Sequence, residues 1–220
     1  MKKAFSFTAA ALMTFALASA EEQPRHARIL ADKPGLATAF DDDGGKVEIF
    51  LHGEAGRTLE FHGGAVLHEP LMQVVFLGAR WRGPEFAALK QNLQSHVERL
   101  AMPEGIRPAT PVGARDIDAS DAMNDLKIQA TLDRAMNDGA LSLRDERVVV
   151  VVFLAPDLKS TLGHHRPQRD YDSYHSHFNA HDTNVRYVVV PFNEDAAAMK
   201  TAAAKSIVRA VVNPDGDGWY

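Results

Sequence analysis

Val148-Val-Val-Val-Val-Phe-Leu154 runs seven residues without a polar break. β-branched side chains favour the extended backbone, and a strand with no polar alternation needs apolar cover on both faces. That excludes a helical bundle and a sheet with one wet face, and it calls for a sheet clothed by helices on two sides. Leu71 to Leu77 and Tyr187 to Val190 are further apolar runs of the same kind. Helical periodicity lies between and after them. Pro84 opens a segment in which Phe86, Leu89, Leu93, Val97 and Leu100 share one stripe, ended by Met102-Pro103. Asp121 to Asn137 predicts a second helix, with Ile128, Leu132, Ala135 and Met136 inward and Gly139 as its stop. A third follows Asn193 as cap, with Met199, Ala203, Ile207 and Ala210 as its apolar stripe. This order predicts a three-layer α/β domain with a central mixed sheet covered by helices.

The chain of 220 residues divides unevenly around that domain. Met1-Lys-Lys3, an uncharged apolar run from Ala4 to Leu17, and Ala18-Ser-Ala20 form the pattern of a secretory signal peptide. Residues 1–20 are therefore expected to be cleaved after Ala20, giving a periplasmic or secreted protein. The run is shorter than the roughly 20 residues of a membrane span, and the mature chain is expected to carry no span. Residues 21–57 read as an N-terminal lead-in with an edge strand at Lys46–Leu51, and 58–220 as one α/β domain. Asp41-Asp-Asp43 lacks the interleaved turn residues and distal glutamate of a calcium loop and reads as a solvated turn. Pro103, Pro108 and Pro111 mark 103–118 as a connector, too short to separate two domains.

Charge and cysteine content narrow the partners. The formal net charge is −5, and it becomes more negative once Lys2 and Lys3 are removed. Such a chain lacks the concentrated cations that hold phosphate backbones, which excludes nucleic acid. There is no cysteine, so neither a disulfide nor a lipidated cysteine holds or anchors the fold.

Five of the ten histidines, His164, His165, His175, His177 and His181, fall in what reads as one loop between the second and third core strands. Imidazoles are common zinc ligands, and a tetrahedral site needs three or four converging donors. His175 and His177 share a face if extended, His177 and His181 if helical, and one segment cannot satisfy both. Asp170, Asp172 and Asp182 stand nearby as oxygen ligands or second acceptors for an imidazole N–H. The bland alternative is a polar surface loop anchored by Tyr171, Tyr174 and Phe178. No nucleophile-elbow pattern is present.

A series of phrases then occurs in a set order over about residues 58–220. They are Phe61-His-Gly-Gly-Ala-Val66, Asp125-Leu-Lys-Ile-Gln129, Asp138-Gly-Ala-Leu141, Val151-Val-Phe-Leu-Ala-Pro156, Tyr174-His-Ser176, Tyr187-Val-Val-Val-Pro191 and Val212-Asn-Pro-Asp-Gly-Asp-Gly-Trp-Tyr220. Together they resemble exported bacterial proteins related to the plant phosphate-induced protein 1 (EXORDIUM) family. The resemblance implies a metallopeptidase-like frame and an envelope or extracellular ligand of unknown identity. Members often carry a zincin-like His-Glu-x-x-Glu helix before the Asn-Pro-x-Gly-x-Gly turn. Here Lys205 falls at the His, Ser206 at the Glu and Arg209 at the second acid. Lys205 and Arg209, four apart, are expected on one helix face, where two cations would repel a divalent metal. His175 matches the family's Tyr-His-Ser phrase. Relatives continue past the Gly-Trp-Tyr at which this chain stops. The resemblance thus implies a degenerate site (Lys205, Ser206, Arg209), no catalytic residue, and binding rather than catalysis. Two readings stay beside it, both using His164, His175, His177 and His181 as metal ligands: a zinc-dependent hydrolase, and a periplasmic metal-binding protein without chemistry.

Overall fold

A computed structural model describes residues 37–40, 46–49, 63–119, 122–143 and 145–216. The expected leader, Asp41 to Asp43, Phe61 and His62 of the Phe61–Val66 phrase, Trp219 and Tyr220 lie outside the described residues. Among the described residues seven strands form one mixed sheet. They are β1 (Ala37–Phe40), β2 (Lys46–Ile49), β3 (Leu71–Leu77), β4 (Thr110–Ile117), β5 (Val148–Leu154), β6 (Tyr174–Ala180) and β7 (Thr183–Val190). Their order is β1-β2-β6-β7-β5-β3-β4. β4, β3, β5 and β7 run parallel, whereas β6 returns antiparallel beside β7, and the β1–β2 hairpin extends the β6 edge.

The apolar run that opened the argument is the centre of this sheet. Every residue of β5 is buried, between β3 on one side and β7 on the other. Burying a valine side chain contributes about 1.5–3 kcal/mol, so this strand alone is a large share of the core. Three helices cover the sheet: α1 (Ala87–Glu98), α2 (Asp125–Asn137) and α3 (Ala196–Val212). α1 and α3 pack together on one face, where His96 Nε2 donates to the Lys200 carbonyl at 3.0 Å. Strand alternation places α2 on the other. Tyr187 of β7 reaches α2, while its neighbour Arg186 points to Asp215 beyond the end of α3. The expected α/β class and helical cover are thus present.

Three expectations change. The 103–118 connector contains β4, an edge strand paired parallel with β3. Its residues are mostly exposed, so no apolar alternation announced it, and Pro111 sits near its start, where an edge strand tolerates a missing N–H. The supposed histidine loop is only half a loop. From Tyr174 onward it is β6, paired along its whole length with β7. The caps also move. α2 starts at Asp125 rather than Asp121, capped by Asn124, which accepts from Lys127 N at 2.9 Å, and Gly139 at φ 72° follows the helix as expected. Asp195, not Asn193, caps α3, while Asn193 accepts from the Asp195 amide.

Candidate functional site

Open parallel sheets bind ligands in the crevice past the carboxyl ends of strands whose crossovers diverge. Here β3 connects through α1 to β4 on one side, and β4 connects through α2 to β5 on the other, so the crevice lies between β3 and β5. It is filled with protein. A Cβ on Gly78 (φ 114°) would stand 2.6 Å from the Ala155 Cβ, so the two strand ends close on each other. Trp81 is 1% exposed and donates its indole N–H to the Phe153 carbonyl at 3.0 Å. Phe76, Phe86 and Phe192 meet its ring edge-on. The usual ligand position of such a sheet is therefore an aromatic core.

Below α3 lie the residues that the resemblance singles out. Ser206 is fully buried, and its hydroxyl is 2.8 Å from that of Ser173, which also donates to the Ala202 carbonyl. Arg209 is 6% exposed, whereas Lys205 is exposed. The expected shared face of Lys205 and Arg209 is thus split. Four residues advance a helix by more than one full turn, which carries Lys205 to the solvent flank while Arg209 stays against the sheet. Beside them Arg186, 5% exposed, pairs with Asp215 at 3.0 Å and donates to the Glu146 carbonyl. Asn184 donates to the same carboxylate at 2.8 Å. Asp215, in the Asn-Pro-Asp-Gly turn, therefore works as a latch between the end of α3 and β7. A zinc ion would need imidazole or carboxylate donors from α3, and a lysine, a serine and an arginine do not fit it.

The five histidines are dispersed. His175 and His177 alternate onto the α3 face of β6, with His175 buried. His181 sits at the tip of the β6–β7 hairpin, its Nε2 3.3 Å from Asp133 of α2. His164 and His165 lie in the preceding loop with ring centroids 4.1 Å apart, and burial followed by the His164 charge lowers the His165 pKa. Among the described residues no group of three or more His, Asp or Glu side chains is placed to hold a metal. His164, His175, His177 and His181 are not brought together.

On the opposite face stands a network that sequence reading missed. Asp125, 1% exposed in the first turn of α2, accepts from the Tyr187 hydroxyl at 2.7 Å and 2.8 Å. Gln129 Nε2 donates to the same carboxyl at 2.8 Å and to the Tyr187 oxygen at 3.0 Å. Both donors converge on one carboxyl, whose two oxygens have room for several. Tyr174 is buried beside Asp125, whose charge and acceptor oxygens both act on its hydroxyl. Tyr171 meets the Tyr174 ring and sits 3.0 Å from the Ser160 hydroxyl. Burial first, then Asp125, pushes Tyr174 and Tyr187 well above the usual phenol range, and burial pushes Tyr171 up to about 12. An aspartate one place after Asn124 reads from sequence as a dipole partner, so nothing local marked it as buried.

Outside this network α2 and the β6–β7 hairpin line a shallow, open groove of about 780 Å³. Leu126, Ala130 and Phe178 supply its apolar surface, and Lys127, Gln129, Asp133 and His181 its polar groups. The hairpin tip that closes it is a two-residue turn with His181 at φ 50° and Asp182 at φ 60°. Left-handed backbone without glycine costs about 1 kcal/mol per residue. No protein-family model matches the chain, and no curated protein matches it significantly.

Proposed function

We propose that this is an exported, non-catalytic binding protein, a degenerate relative of the metallopeptidase-like proteins that its phrases resemble. One observation carries the reading. The helix that would supply zinc ligands in that frame turns Ser206 and Arg209 toward the sheet, and Ser206 is already hydrogen-bonded to Ser173. Neither side chain is a zinc ligand, and Lys205 faces water. No residue there can activate a metal-bound water, the step on which zinc hydrolysis depends. The leader pattern at Met1 to Ala20 suits a chain that acts in the envelope or outside the cell.

Elemental analysis of the mature protein, purified after growth with added zinc, tests this. The expected result is metal well below one ion per chain, unchanged in His175→Ala and His177→Ala, with no hydrolysis of peptide or ester substrates. One zinc per chain, lost in those variants and accompanied by hydrolysis, overturns the reading.

A further inference from the structure

We infer that the groove between α2 and the β6–β7 hairpin binds a short neutral oligosaccharide, an inference that rests on the binding-protein reading and gives it a ligand class. The argument begins with Gln129. Its two N–H groups are committed to Asp125 and Tyr187, both held in the buried layer. A carboxamide so fixed has one orientation, and its Oε1 is left as an acceptor at the groove wall. Asp133 at the far end is a second acceptor, already shared with His181 at 3.3 Å. Lys127 supplies N–H donors, one of them used by the Ala122 carbonyl at 3.1 Å. Hydroxyls, which donate and accept at once, match such a mixed set, and acceptors fixed in advance lose little freedom on binding.

Charge and shape narrow the class. Lys127 and Asp133 give the lining one positive and one negative group, so it offers no net field for an anion or a cation. Phe178 is half-buried in the wall, its ring held edge-on by Tyr187 at 5.8 Å between centroids. The negative face of an aromatic ring attracts the polarised C–H groups of a sugar ring while the hydroxyls point to the rim. Leu126, 38% exposed, extends the apolar strip. From Asn124 to Asp133 the groove follows α2 for about 13 Å at 1.5 Å per residue, the reach of a short chain rather than a single small molecule.

Saturation-transfer NMR on the mature protein with maltotriose, cellotriose and chitotriose is the test, with a neutral tripeptide in parallel. At least one trisaccharide is expected to receive saturation. Asp133→Ala and Phe178→Leu, both checked for fold by circular dichroism, should each weaken its binding about tenfold. Lys205→Ala, across the sheet, should leave it unchanged. No saturation of any sugar, binding indifferent to both groove variants, or binding of the tripeptide in their place overturns the inference. Cleavage of a bound trisaccharide would instead sink the non-catalytic reading and leave the groove standing.

Discussion

Under α3 the sheet meets alanines, and under α2 it meets tyrosines. Ala202, Ala203, Ser206 and Ala210 are all nearly or fully buried, and small side chains let that helix lie close on β5, β6 and β7. The gap under α2 is bridged by Tyr171, Tyr174 and Tyr187, which converge near Asp125, and the helix lies farther from the sheet. Close packing leaves no room on the first face, so its polar groups pair with each other. A stand-off held by long side chains leaves a groove on the second. The difference between a closed and an open face thus comes down to side-chain length at a few positions.

Four measurements can break or sharpen that contrast. Asp125→Ala should have the largest effect, a loss of about 3 kcal/mol in urea unfolding, because Tyr187 and Gln129 lose their shared acceptor inside the protein. A loss below about 1 kcal/mol would show that the tyrosine layer does not hold α2. Ala203→Leu should cost about 2 kcal/mol by forcing α3 off the sheet, whereas Ala130→Leu on the exposed wall of α2 should stay within about 0.5 kcal/mol. Equal costs would erase the distinction between the two faces.

Alkali should act through the α2 face, where all three described tyrosines sit. Their phenols titrate higher folded than unfolded, so the stability they contribute is intact below the unfolded value near pH 10. Above it the unfolded chain ionises first, and stability should fall by up to about 1.4 kcal/mol per pH unit for each tyrosine. Melting curves from pH 8 to 12 would show this, with a shallower fall in Tyr174→Phe. At pH 7 that same substitution should cost little, within about 1 kcal/mol, since the hydroxyl it removes lies outside the short Tyr187–Asp125–Gln129 hydrogen bonds. A flat stability profile up to pH 12 would mean that water reaches the tyrosine layer.

The sheet centre could be read from the chain because β3, β5 and β7 are buried on both faces and announce it as continuous apolar runs. β4 could not, since an edge strand with most residues exposed has no reason to alternate. β6 hid for another reason. Tyr174, Ser176 and Phe178 face one layer and His175, His177 and Asn179 the other, so one set mixes polar with apolar residues and the other is wholly polar. Its turn also lacks the Asn-Gly that marks such hairpins. Ser206 and Arg209 were named from the sequence, but helical spacing alone could not tell that Lys205 would reach solvent. Asp125 and Gln129 lay within a quoted phrase, yet their role depends on Tyr187, 62 positions from Asp125.

The parallel centre also sets a timetable for the chain. Leu71 lines up with Val148, and β5 gains its second neighbour when Arg186 comes to lie beside Val149. Contacts between partners so distant in sequence require long loops to close before they return any stabilisation, which slows folding. Until β7 is made, the seven-residue valine-rich ribbon keeps one hydrogen-bonding edge unsatisfied even when paired with β3, and during that interval it is the segment most prone to pair with another copy of itself.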